Sequence, residues 1–278
     1  MATTVLTPVV DVLPEPEKDS PLSRVWAWSW PKLLGIGLVL GAWQIVVWSG
    51  WRPEYVLPGP IPTLQAVWEM MGTDRFWSAI ATTLTRAVAG FALALLIGTT
   101  IGVLVARVRP LRLAVGALIT GLQTMPSISW FPLAILLFGI NEQAILFVVV
   151  LGAAPSIANG VISGIDQVPP AFWRLGRVLG AGPFAMYRNI ILPAALPGYV
   201  SGLTQGWAFA WRSLMAGELL VIIAERPSLG AQLEFARQLA KAPQLLGTML
   251  VILVIGMLVD GLFSSASRRM RERRGLAT

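Results

Sequence analysis

Arg212 and Glu218 are opposite charges inside one of the most apolar stretches of this chain. A charge at such depth must either be paired or be placed to meet an ion. Six residues of α-helix set the two side chains about 120° apart around the axis, so a direct bond between them is poor. Arg212 is free to face a polar path and receive an anion, to bond Glu218 of a neighbouring copy, or to bond backbone carbonyls; structural pairing is the weightier use. A second polar set, Gln123, Thr124, Met125, Pro126, Ser127 and Ser129, precedes Pro132 in another apolar stretch. Each proline removes a helical hydrogen bond and displaces the carbonyl four residues back. Such defects persist in a bilayer only where protein or water satisfies the freed groups. Asn159, with Pro155 and Ser156, offers polar groups at comparable depth. The favoured reading is a translocation path lined by Gln123, Thr124, Met125, Pro126, Ser127, Asn159, Arg212 and Glu218, against the alternative of a merely kinked structural helix.

Other chemistry is excluded by residue type. The chain has no His and no Cys, which removes Cys/His zinc sites, His-ligated haem, thiolate clusters, Cys nucleophiles and His bases together. No catalytic residue, metal site or cofactor is expected on this chain. A phosphate-cradling loop needs Gly-x-x-x-x-Gly-Lys-Ser/Thr, and none of the lysines, Lys18, Lys32 and Lys241, follows a glycine.

The elements that must hold these residues are membrane spans. Of 278 residues, 55% are hydrophobic and 13% charged, with a mean hydropathy of +0.70; a soluble protein is about one quarter charged. Six segments are long and apolar enough to cross: 33–50, 86–106, 113–138, 143–164, 195–223 and 245–263. Before them lies a cytoplasmic tail with its Trp-rich interfacial segment (1–32), and after residue 263 a basic cytoplasmic tail (264–278) that suits anionic lipid head groups. With both termini inside, fourteen of the twenty-one Lys and Arg fall on the cytoplasmic side and five outside, the bias expected of a multi-pass protein. The net charge of +7 then calls for no nucleic acid. Arg86, at the outer end of the second span, is expected to snorkel. Gly198, Gly202 and Gly206, spaced four apart, predict a tight helix seam within the subunit or across a homodimer.

Between the fourth and fifth spans runs a long internal loop, 166–193. Pro169 and Pro170 suit the start of one short helix, Gly180-Ala181-Gly182 breaks it, Pro183 starts a second, and Pro193 closes the loop. Leu175, Val178 and Leu179 form an apolar edge beside Arg174 and Arg177. The edge fits docking on another protein or lying on the membrane surface equally well.

Leu179-Gly180-Ala181, then Ile191-Leu192-Pro193 and AALPG, resemble the EAA loop of bacterial ABC-importer permeases. LPGPIPTL (57–64), AGF (89–91), MPSISWFPLAILLFGI (125–140) and AGE (216–218) resemble the nitrate/sulfonate/taurine branch of these binding-protein-dependent permeases. The resemblance implies an all-α membrane protein with a six-helix, type I ABC-importer-like bundle in the bacterial inner membrane. It implies a loop that couples to a cytoplasmic ABC ATPase through Arg174, Leu175, Gly176, Arg177, Leu179, Gly180, Ala181 and Pro193. It also implies two ATPase copies carrying ATP and Mg, an external solute-binding protein, a second copy of this chain, and a small anion such as nitrate, a sulfonate or taurine as cargo. The family's Glu-Ala-Ala start aligns with Arg174-Leu175-Gly176, so an acidic position is basic here. The alternative class is an ion-gradient transporter acting without an ATPase, which needs titratable groups at depth; Arg212 and Glu218 are the ones available.

Overall fold

The computed structural model describes residues 21–273, so the tail at 1–20 and the last five residues of the basic tail lie outside the described residues. Among the described residues all regular structure is helical. The chain divides into two units, Met1–Arg52 and Pro53–Thr278. In the first, α1 (Pro21–Trp48) carries the Trp-rich segment and the first expected span as one helix, with Pro31 inside it. Its Ser29–Trp48 portion is long and apolar enough to cross a membrane.

The second unit contains α2 (Pro60–Met71), α3 (Asp74–Arg107), α4 (Arg109–Thr124), α5 (Phe131–Phe138), α6 (Glu142–Asp166), α7 (Pro170–Val178), α8 (Pro183–Met186), α9 (Leu192–Leu220), α10 (Leu229–Gln238) and α11 (Ala242–Arg273). The centre is α6, which packs on α3, α4, α5 and above all α9. Its residues are small where neighbours cross. A β-carbon placed on Gly160 would lie 2.5 Å from the Cα of Gly202, and one on Gly198 would lie 2.5 Å from the Cα of Gly164. Gly206 fits against Ile157, and Gly98 and Gly102 of α3 sit on the carbonyls of Ala154 and Ala158. In lipid, where apolar surface has no preference for protein over acyl chain, such backbone approach supplies the dispersion contact that holds helices together. The Gly198–Gly202–Gly206 face therefore packs within one subunit, on α6.

Membrane character is retained by α1, α3, α6 and α11, each long and apolar enough to cross. The third expected span, 113–138, is corrected: α4 and the segment Ser127–Phe138 meet at a bend of 103°. The residue before a proline is driven out of the helical region. Met125 accordingly has ψ 126° and Pro126 ψ 126°, both non-helical, before a 3₁₀ turn at Ser127–Trp130. Pro132 is no kink either. It stands in the first turn of α5, where its missing N–H costs nothing. The fifth expected span corresponds to α9, 29 residues and about 43 Å long. With Gln205, Arg212, Ser213 and Glu218 along it, α9 is not among the helices apolar enough by composition to cross.

Candidate functional site

The internal loop forms two short helices and a turn at one end of the α6–α9 pair. Pro169 precedes α7, and Pro170 opens it. At its far end Ala181 N–H donates to the Gly176 carbonyl at 2.9 Å and Gly180 N–H to that of Arg177 at 3.1 Å, the paired closure of a Schellman turn. The turn requires a left-handed residue, and Gly180 has φ +69° with no atom near a β-carbon position. The second helix does not stop at Pro193, as the sequence suggested. Instead α8 continues through a π-helical turn, Tyr187–Ile191, directly into α9. Pro193 cannot donate to the carbonyl of Asn189 and its ring crowds that oxygen; the wider turn, closed by Leu192 N–H to Tyr187 carbonyl, makes room for it.

One face of α7 is anchored. Gly176 is buried, with Met186 and Ile190 occupying the volume a side chain would need. Val168, Met186, Ile191 and Ala195 form a small core beneath. Trp173 meets Tyr187 edge to face at 5.7 Å, and Arg107, closing α3, lies 4.6 Å over the Tyr187 ring. Arg112 of α4 bonds Asp166 at the end of α6. The other face is open: Leu175, Val178 and Leu179 are 52%, 85% and 69% exposed, and Phe184 is 75% exposed. Arg174 and Arg177 are exposed alongside them. A rigidly based helix thus holds a compact apolar patch, ringed by cations, away from the rest of the unit.

The opposite end of the same helix pair is closed by charge. Arg86 of α3 donates from Nη1 to Glu218 of α9 at 2.9 Å, and from Nε and Nη2 to Glu142 of α6 at 2.7 and 2.6 Å. The Glu218 carboxylate, fully buried, also accepts from the Thr83 hydroxyl at 2.8 Å and from Gly230 N–H at 3.1 Å. Thr83 accepts in turn from Leu229 N–H at 3.0 Å. Arg226, in the connection before α10, reaches Glu142 at 3.5 Å. Gly230 is required here, since a β-carbon would lie 2.4 Å from that of Glu218. Two arginines and two carboxylates balance, and both oxygens of the buried Glu218 carboxylate have a donor. Arg86 therefore does not snorkel; it is buried.

The expected path residues do not gather in one place. Glu218 is withdrawn into this cluster, inside its own subunit, and is unavailable to Arg212 of a neighbour. Arg212 lies exposed on α9, its Nε donating to the Ala208 carbonyl at 3.1 Å and its guanidinium 5.1 Å from the Phe209 ring. Thr124, Met125 and Pro126 are exposed at the α4–α5 bend, and Asn159 is half-buried. Ser127, half-buried, lies against the core where Gly152 leaves room for it and for Ser213 of α9. The Ser156 and Ser213 hydroxyls and Gln123 Nε2 are buried and have no hydrogen-bond partner among the described residues.

Residues 94–272 match the family model described as "Binding-protein-dependent transport system inner membrane component". The chain is 31% identical over 201 residues to a bicarbonate transport system permease protein of Synechococcus elongatus, covering 68% of this chain and 71% of the relative. It is 29% identical over 217 residues to a nitrate import permease protein of Synechocystis, covering 73% and 77%. To a putative aliphatic sulfonates transport permease protein of Bacillus subtilis it is 26% identical, covering 89% of each. Its fold matches a structure of the MetNI methionine ABC transporter with TM-score 0.60 at 22% identity, covering 70% of this chain and 96% of that one. The chain belongs to the family of inner-membrane components of binding-protein-dependent transport systems, and the nitrate and sulfonate permeases are among its relatives.

Proposed function

We propose that this chain is the permease subunit of an ATP-driven ABC importer for a small oxyanion or sulfonate. In this reading two copies enclose the path, and both termini and the 166–193 loop lie in the cytoplasm. A separate ATPase, two copies binding ATP and Mg, docks on α7, while an external solute-binding protein delivers the cargo. One observation carries the proposal: α7 presents Leu175, Val178 and Leu179 to solvent on a base fastened to α3, α6 and α9. Among the described residues of this unit none covers that patch, and an apolar, cation-edged helix of this kind suits a groove on a partner.

Three relatives are named for nitrate, bicarbonate and sulfonates, all anions, which supports that cargo class. Arg174 on the docking helix implies an ATPase groove with an acidic complement. Against the alternative of a gradient-driven carrier, Glu218 is withdrawn from any path, being buried with a donor on each carboxylate oxygen. The test is reconstitution in liposomes with the cognate ATPase and binding protein, measuring uptake of nitrate, taurine and bicarbonate. ATP-dependent uptake of one of them is expected, and Leu175→Asp should abolish ATPase binding while the protein still inserts. Uptake by this chain alone, driven by a proton or sodium gradient, would refute the proposal.

A further inference from the structure

Between α9 and α11 lies a groove of about 430 Å³ whose lining is unlike the other exposed faces of these two helices. Ser201, Thr204 and Gln205 of α9 face Asp260 and Ser264 of α11 across it. Elsewhere on the exposed surface α11 presents Met249, Leu253, Met257, Leu258 and Leu262, side chains suited to lipid. Asp260 is exposed, lies within the apolar Ala242–Met270 stretch, and has no ion-pair or hydrogen-bond partner among the described residues. Arg212 is its counterpart on α9. It too is exposed and without a carboxylate partner, and its side chain folds back toward Ala208, which lines the same groove. A carboxylate and a guanidinium in membrane-spanning segments each require a partner or water. Here Asp260 lines the groove from α11 and Arg212 stands one turn beyond Ala208 of its α9 wall, and among the described residues neither has an opposite charge to bond.

We propose that this groove faces a second copy of the chain and that Arg212 of each copy pairs with Asp260 of the other. The proposal rests on the two-copy reading above and adds the face and the charges that join them. A twofold contact is self-complementary: residue i meets j, and j meets i. A single surface carrying one unpaired cation and one unpaired anion satisfies that condition, making two ion pairs per dimer. The same symmetry brings the hydroxyl and amide groups of Ser201, Thr204 and Gln205 from both copies to one polar seam. Their solvation then no longer depends on lipid.

The experiment is charge reversal in the full chain, reconstituted in lipid vesicles, with self-association read by energy transfer between labelled copies on dilution. Arg212→Asp alone and Asp260→Arg alone should each weaken self-association by on the order of tenfold, and the double variant should return within about twofold of the parent. A double variant no better than either single one overturns the pairing, leaving the two-copy reading intact. A parent chain that does not self-associate overturns both. Unchanged association with loss of anion uptake in the single variants also overturns the pairing and assigns the groove to the solute. Because the chain has no cysteine, a second measurement covers variants that fail to insert. Differently tagged copies carrying Arg212→Cys and Asp260→Cys, mixed and treated with a short bis-thiosulfonate reagent, should cross-link copy to copy; absence of that product in an associated sample refutes the pairing.

Discussion

Arg86→Met is the most demanding perturbation of the charge cluster. Among the described residues it removes the one cation that touches Glu218, whose side chain is 0% exposed, and leaves that carboxylate with the Thr83 hydroxyl and the Gly230 N–H. Glu142 suffers less, being 29% exposed and still within 3.5 Å of Arg226. Breaking a buried pair from one side costs about 3–5 kcal/mol, because the remaining charge stays desolvated and uncompensated. For a chain of this size about 1 kcal/mol moves the melting temperature by roughly 2–4 °C, so a fall of about 6–20 °C is expected. The assay is heat unfolding in detergent, followed through the fluorescence of the twelve tryptophans. The control is Arg86→Met with Glu218→Gln, which removes both charges but keeps an amide oxygen for Gly230 N–H. It should recover more than half of the loss, since replacing both partners costs far less than orphaning one. A single variant that melts within about 2 °C of the parent, or a double variant no more stable than the single, would refute the account of the cluster as a mutually compensated unit.

Four further outcomes are expected. Gly180→Val meets no atom within 4 Å but must hold φ +69°, at a cost of about 1–2 kcal/mol in local backbone. The altered α7–α8 turn should let ATP hydrolysis by the partner continue while uptake falls, as read by parallel phosphate release and tracer uptake; unchanged uptake counts against the docking assignment. Gly202→Val directs its β-carbon to within 2.5 Å of the Gly160 Cα, backbone that cannot yield, and should abolish folded protein on gel filtration, whereas Gly116→Ala, with open space around it, should gain up to about 1 kcal/mol from helix propensity. Asn141→Ala removes the cap that accepts from Gln143 and Ala144 N–H at 3.0 and 3.2 Å and should cost about 1 kcal/mol in the same melting assay.

The loop was the most legible part of the sequence because its signals are local. Prolines open both short helices, glycine at position 180 marks a left-handed turn, and the three-and-four spacing of Leu175, Val178 and Leu179 declares one face; each depends on residues within one or two turns. The bend at Met125–Pro126 was read as a defect because hydropathy runs unbroken across it, and composition alone does not distinguish a kinked span from two helices at 103°. The continuation of α8 into α9 was missed for a related reason. Pro193 normally argues for a boundary, and only the π-helical turn before it lets the helix pass. Least legible was the charge cluster. Arg86 and Glu218 are separated by 132 residues, and Arg86 alone has an ordinary interfacial explanation. The available signal was collective: Arg86 on α3 and Glu142 on α6, which run parallel, and Glu218 on antiparallel α9 are charges that the packing brings to one level.

The two ends of the α6–α9 pair bear on how the proposed docking event reaches the path. At Gly160, Gly164, Gly198 and Gly202 these helices meet backbone to backbone, leaving no side chain at those crossings to change rotamer and absorb a shift. Packed interfaces of this kind rearrange between discrete arrangements rather than deforming smoothly. At the loop end the pair is tied to α7 and α3 by the small core and the Arg107–Tyr187 contact. At the far end Arg86 and Glu218 tie it to α3 and α10. A push on α7 therefore has no soft element to dissipate in along this route, and it displaces α3, α6 and α9 together. Compliance has to come from where hydrogen bonding is already interrupted, at the Met125–Pro126 bend between α4 and α5, beside which Ser127 touches the Gly152–Ser213 contact of the rigid pair. If the importer opens by moving one body against another, that bend is the boundary between them, and the unpartnered Ser156, Ser213 and Gln123 groups are polar atoms to which such a movement would admit water.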